Sequence, residues 1–187
     1  SELDRIRQKN INLTVIVDKV AASGGYMMAS IANKIIAAPF SIIGSIGVIS
    51  QMPNFNKALK DRGVDFEQIT SGKYKRTLTM FGENTDEDRQ KYQQELDEIH
   101  HMFKLLIKTK RKNIDIEKVS TGEYWLGTKA KELGLVDELM TSDDYLMKLF
   151  ELDKKVFLIE YKTEQTLMSK LSGVCGDIKS FIKGKYI

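Results

Sequence analysis

Ser23 stands in the segment VIVDKVAASGGYMMAS, at the junction of a strand and a helix. A sharp turn at such a junction lifts the hydroxyl away from its own backbone. The Gly24 N–H then points into the same space, at the start of the following helix. A tetrahedral oxyanion formed on the serine would find that donor ready, worth ~3 kcal/mol per donor in comparable sites. Gly24 and Gly25 let a substrate backbone approach with no Cβ in the way. A plainer description also fits: Ser23 as an N-cap and Ser-Gly-Gly as a tight turn. Spacing alone leaves both open.

A nucleophilic serine needs a base. The two histidines, His100 and His101, are adjacent on one long helix, so their side chains diverge by about 100°. They cannot form an i, i+4 metal pair, and they read as one half-buried and one solvated helix residue. A Ser-His-Asp arrangement is therefore disfavoured. Lysine remains, because burial and neighbouring cations can favour its neutral form. The run Ser71-Gly72-Lys73-Tyr74-Lys75-Arg76 crowds three cations into one loop after an expected strand. A solvated basic loop is the bland alternative. A literal Ser-x-x-Lys match at Ser180 to Lys183 lies in a weakly patterned tail and carries no weight.

These residues need elements to hold them. Residues 1–9 read as the end of an amphipathic helix. Asn10 to Asp18 is rich in β-branched residues and reads as a buried strand. A helix over Tyr26 to Ala32, a strand over Lys34 to Ala38 and an apolar stretch over Ile42 to Ser50 follow. The two glycines of that stretch suggest close contact with other backbone. Pro53 introduces a helix capped by Gly63, and Val64 to Thr70 reads as a further strand. This alternation predicts a parallel α/β sheet with right-handed crossovers.

Beyond it, residues 73–82 read as a loop. Thr85-Asp86-Glu87-Asp88 reads as an acidic helix start. Tyr92, Leu96, Ile99, Phe103 and Leu106 then form an apolar stripe on a helix of roughly six to seven turns. That helix either packs across the domain or meets a neighbouring subunit. Residues 122–139 hold a turn and a helix closed by Gly134. Val156 to Tyr161 reads as a late strand, and residues 163–187 as a weakly ordered or interface tail.

The chain has 187 residues, enough for a single domain. Its 29 basic and 26 acidic residues are mixed and sum to +3, too mild to argue for nucleic acid. The single cysteine, Cys175, excludes an intrachain disulfide framework and a Cys-cluster zinc site. No apolar run approaches the ~20 residues of a membrane span. The first strand wants neighbours on both sides, yet the chain opens on a helix. A fragment of a longer protein is expected.

Four blocks carry a resemblance: DKVAASGGYMMAS, APFSIIGSIGVI, SGKYKRTLTMFGENT and TGEYWLGTKAKELGLVDEL. In this order, over about Asp18 to Leu139, they resemble the signal peptide peptidase A family of Ser/Lys peptidases. The resemblance implies a ClpP/crotonase-type α/β fold, a mostly parallel sheet with flanking helices and one long helix. It implies Ser23 as nucleophile and Lys75 as general base, 75 − 23 = 52 positions apart. Ser45 matches the serine that orients the lysine, Gly24 supplies one oxyanion donor, and Lys73 and Arg76 tune the base. The second donor and an N-terminal membrane anchor are expected upstream of this chain.

No cofactor or metal is implied. The implied partners are peptide or membrane-protein substrates and further copies of the chain in a ring, with no nucleic acid. Serine and lysine could come from adjacent protomers. The implied place is the bacterial inner membrane, and the substrates are signal-peptide remnants or envelope proteins with small apolar side chains. Extended substrate is expected to add as a strand near Ile43 to Ser50. A crotonase-like acyl-CoA enzyme, a non-catalytic scaffold and an unrelated binding module are the rival readings.

Overall fold

A computed structural model describes residues 2–160. The chain divides into two compact units, Ser1–Lys148 and Leu149–Ile187. All of the residues discussed as chemistry up to Arg76 lie in the first. The tail from residue 163, with Cys175 and the Ser180 to Lys183 match, lies outside the described residues.

The first unit opens with helix α1 (Glu2–Gln8) and strand β1 (Thr14–Val17). Two bend residues later the chain starts a second strand, β2 (Val20–Ala22), before helix α2 (Gly24–Ala29). Strands β3 (Lys34–Ala37) and β4 (Ile42–Gly44) follow. β1 pairs with β3 in parallel, Thr14 opposite Lys34 through Val17 opposite Ala37. β2 pairs with β4 in parallel, Val20 opposite Ile42 through Ala22 opposite Gly44. Thus α2 is the crossover between two parallel neighbours, as the alternating pattern predicts.

One departure concerns sheet number. The described residues form two three-stranded sheets, not one. Strand β6 (Glu138–Leu139) adds in parallel to β3, giving the order β1-β3-β6. Strand β5 (Tyr124–Leu126) adds antiparallel to β4, giving β2-β4-β5. The chain changes sheet at Asp18-Lys19, whose polarity ends the apolar run of β1. β4 is therefore a central strand over Ile42–Gly44, with both edges paired. Substrate cannot add at Ile43 and Gly44, which corrects the expected strand addition at the start of the Ile43 to Ser50 stretch.

Helix α3 (Asn56–Lys60) ends as expected before Gly63, whose φ is +70°. Val64 to Thr70 forms no strand and is exposed throughout. Its alternation of charged and apolar residues suits a strand, but it has no neighbouring strand among the described residues to pair with. The same correction applies to 156–160, which are exposed and irregular, while Tyr161 lies outside the described residues. The long helix α4 (Asp86–Lys110) has 25 residues. Thr85 caps it by accepting the Asp88 N–H, and the Asp88 carboxylate accepts the Thr85 N–H in return. Three short elements complete the described chain: α5 (Ile116–Val119), α6 (Gly127–Glu132) and α7 (Ser142–Glu151).

The core gathers Tyr26 and Ala29 of α2, Ile35 of β3, Ile43 of β4 and Phe103 and Ile107 of α4. Of α4's stripe only Phe103 is buried; Tyr92, Leu96 and Leu106 are half-buried and Ile99 is exposed. Tyr26 is fully buried and donates its hydroxyl to the Leu135 carbonyl at 2.8 Å. Burial pushes its phenol well above the usual tyrosine range. This bond ties the helix that follows Ser23 to a segment 109 residues away. Tyr26→Phe leaves that carbonyl unpaired in the core. The expected loss is about 1–2 kcal/mol in urea unfolding with an unchanged m-value.

Candidate active site

Ser23 is exposed at the end of β2 and directly precedes α2. Its backbone has φ +51° and ψ −120°, a conformation non-glycine residues seldom hold. Such strain costs of order 1–3 kcal/mol and must be held by its surroundings. The holding bonds run from Ser23 N–H to the Gly44 carbonyl at 2.8 Å and from Met27 N–H to the Ser23 carbonyl at 2.9 Å. The Ser23 hydroxyl makes no capping hydrogen bond. The N-cap description therefore gives way: the turn is there, and the hydroxyl is left over.

β4 positions the next group. Gly44 has φ +104°, and a Cβ there would meet the Trp125 ring at 2.8 Å. Glycine is required for the chain to turn beneath that indole. Ser45 follows, also at φ +51°, and donates its N–H to the Glu123 carbonyl at 2.7 Å. Gly47 lies against backbone as expected, because a Cβ there would meet the Gly122 Cα at 2.8 Å. The Gly122 N–H donates to the Ile46 carbonyl at 3.1 Å. Two loops, 44–47 and 121–124, are thereby joined beside Ser23.

A cleft of about 1230 Å³ opens at this point. Ser23, Gly24 and Ser45 all line it. Its apolar wall comes from Met27, Val48, Leu96, Ile99 and Phe103, and its polar rim from Gln93, Asp97 and Glu123. His100 also lines it, and its Nε2 is buried without a partner among the described residues. The contribution of α4 to this wall was missed in the sequence. The 4-3-4-3 stripe contained the signal, since Leu96, Ile99 and Phe103 belong to it.

Lys75 is not in this cleft. It is exposed, in the irregular segment after α3, and lines a second cleft of about 550 Å³ with Phe66, Ile69, Arg76 and Phe81. One chain thus unites Ser23, Gly24 and Ser45 and keeps Lys75 apart. One neighbour of Lys75 also differs from expectation. Lys73 pairs with Glu87 in the first turn of α4 at 2.6 Å. Its ammonium sits 5.0 Å from the Tyr74 ring, with Lys91 5.5 Å away over the same ring. Hydrogen bonding to Glu87 raises the affinity of Lys73 for its proton, and Lys73 in turn holds the Glu87 carboxyl below its usual range. An ion-paired Lys73 brings little net positive charge to Lys75. What this cluster does is fasten the loop to α4.

Residues 5–156 match peptidase family S49, and the chain belongs to that family. Membership, with the parallel strand pairs seen here, bears out the expected ClpP/crotonase-like α/β class. Among its relatives are proteins named probable protease SohB. The one from Haemophilus influenzae is 50% identical over 170 residues, 91% of this chain and 48% of its own. The one from Buchnera aphidicola of Schlechtendalia chinensis is 59% identical over 147 residues, 79% of this chain and 48% of its own. The chain spans about half the length of the curated relatives it matches. A solved enoyl-CoA hydratase/isomerase family member covers 80% of this chain and 41% of its own at 16% identity and TM-score 0.42. That likeness is too low to argue fold or reaction from.

Proposed function

We propose that the full-length protein is a serine endopeptidase in which Ser23 attacks the substrate and Lys75 of a neighbouring copy is the base. The observation that carries this is the Ser23 hydroxyl, held on a strained backbone, free of any capping bond and facing a cleft it shares with Gly24 and Ser45. Family membership and the names of the relatives favour peptide hydrolysis over acyl-CoA chemistry.

In this reading an uncharged Lys75 amine takes the Ser23 proton as the oxygen attacks a peptide carbonyl. The Gly24 N–H donates to the developing oxyanion, and a second donor comes from outside this chain. Ser45 accepts a hydrogen bond from the Lys75 amine and aims it. The lysine then gives its proton to the leaving amine, the C–N bond breaks, and an acyl-serine remains. Water, losing a proton to the same lysine, releases the acid and restores the hydroxyl.

Supply of Lys75 from a neighbour fits two facts: its separate cleft, and the exposed apolar residues Phe66, Ile69 and Phe81 on the segment around it. A ring of copies would cover that surface. It would also bury the amine, disfavouring the ammonium form. No helix among the described residues is long and apolar enough to cross a membrane. We place the full-length protein at the bacterial plasma membrane through a segment outside this chain, with peptide remnants or envelope proteins as substrates. A fluorophosphonate serine probe should label the wild-type full-length protein at Ser23 and leave Ser23→Ala unlabelled. Equal labelling of both would reject Ser23 as nucleophile.

A further inference from the structure

The charge of the Ser23 cleft is one-sided. Among the described residues that line it, Asp97 and Glu123 are the charged ones, and both are acidic. They come from different elements. Asp97 projects from α4, and Glu123 stands one residue before β5, with its carbonyl on the Ser45 N–H at 2.7 Å. Because Gly44 is in register with Tyr124 and accepts the Ser23 N–H, Glu123 is fixed within the same hydrogen-bonded frame as the nucleophile.

Neither carboxylate is neutralised by another described residue. Asp97 accepts from the Gln93 amide at 2.8 Å, and Glu123 accepts from the Thr121 hydroxyl at 2.8 Å. Both donors are neutral, so they orient a carboxylate without cancelling its charge. Neither residue takes part in an ion pair among the described residues. Glu83, Glu87, Glu117 and Glu138, elsewhere on the surface, all do. Beside them stand the apolar wall of Met27, Val48, Leu96, Ile99 and Phe103 and the imidazole of His100. A low-dielectric wall beside fixed charges concentrates their field on whatever enters.

From this we infer that Glu123 and Asp97 are specificity-determining residues, and that the cleft selects peptides carrying a lysine or arginine close to an apolar side chain. This deepens the peptidase reading and rests on it for the statement that peptides are the ligands. The apolar side chain covers the wall while the cation reaches a carboxylate at the rim. The contact is solvent-exposed, so the preference is modest and salt-sensitive. Its chief effect is on capture of substrate and not on the bond-breaking step.

The experiment compares peptide pairs that are identical except for lysine against Nε-acetyl-lysine at one position, scanned across the peptide. Cleavage by the wild-type full-length protein should show a position where lysine is preferred about fivefold in kcat/KM at low salt, with the preference falling toward unity as salt is raised. Glu123→Gln with Asp97→Asn should abolish that ratio. Binding of the same fluorescent peptides to full-length Ser23→Ala should give the same ratio in Kd without any need for turnover. A lysine preference that survives in the double variant overturns the inference, as does equal binding of both peptides at every position. Failure of the peptidase reading looks different: no peptide is cleaved, while the charge preference in binding persists.

Discussion

Full-length Ser23→Ala and full-length Lys75→Ala should each be inactive, and mixing them should restore activity. Each single variant lacks one half of every site, and the expected loss is at least about a thousandfold. If the copies form the proposed head-to-tail ring, each lends its lysine to the next in a fixed direction. A site is whole only where an intact Ser23 meets an intact Lys75. With equal amounts and random exchange, about a quarter of the sites qualify. Restored activity should therefore approach about a quarter of wild type after subunits have been dissociated and reassembled. If the lysine served its own chain, mixing would restore nothing, because every copy would carry one broken half.

The prediction follows from where the two residues sit. Ser23 ends β2, and its cleft is walled by α2, α4 and the loops at 44–47 and 121–124. Lys75 belongs to the segment after α3, and that segment is held to α4 by the Lys73–Glu87 pair and the Tyr74 ring. The Tyr74 hydroxyl also donates to Glu87 at 3.3 Å. These contacts fasten the loop at the first turn of α4, whereas the Ser23 cleft uses the later residues Leu96 to Phe103. Swinging Lys75 into its own chain's cleft would break that anchorage, whereas a second copy could take Lys75 with the loop as it stands.

What was legible in the sequence depended on how local its cause was. The β-branched runs at Thr14–Val17 and Lys34–Ala37, the Thr85 cap and Gly63 are set by neighbouring residues, and they stand where the pattern places them. Strand pairing is not local. Val64 to Thr70 has a strand's alternation and no partner among the described residues, whereas Tyr124–Leu126 is a strand because β4 offers it an edge. The change of sheet at Asp18-Lys19 was hidden for the same reason. At the site, the Ser-Gly-Gly turn was visible as a turn, and Ser45 by resemblance. That Ser23 takes φ +51° follows from the Gly44 carbonyl on its N–H, a contact 21 residues away. The pairing of Lys73 with Glu87 depends on the loop folding onto α4, so three adjacent cations looked like a mutual electrostatic effect when one of them was already paired.

Asp137→Asn should destabilise the first unit by about 2–3 kcal/mol at neutral pH, and the deficit should shrink in acid. Asp137 receives both arms of Arg111, Nη1 to Oδ2 at 2.9 Å and Nη2 to Oδ1 at 2.7 Å, and the Ile35 N–H at 2.7 Å. Arg111 also donates to the Gly134 carbonyl at 3.1 Å, and its side chain is only 11% exposed. Asparagine keeps the shape but offers one oxygen where two are used. It also leaves a nearly buried guanidinium without its counter-charge. Burial pushes the Asp137 carboxyl up, but Arg111, the Ile35 N–H and Lys34 outweigh it and hold the group below the usual aspartate range. A carboxyl lowered in the folded state stabilises above the unfolded value of about 3.9, and that contribution disappears as pH falls through the lower folded value. Wild type and variant should therefore differ most in urea unfolding near neutrality and converge well below about pH 4. An equal deficit at every pH would show that packing, and not the ion pair, is what asparagine disturbs. The pair fixes the 134–137 turn, whose Leu135 carbonyl holds Tyr26 of α2. Its loss should therefore lower stability while the fraction still folded keeps Ser23 reactive toward the serine probe.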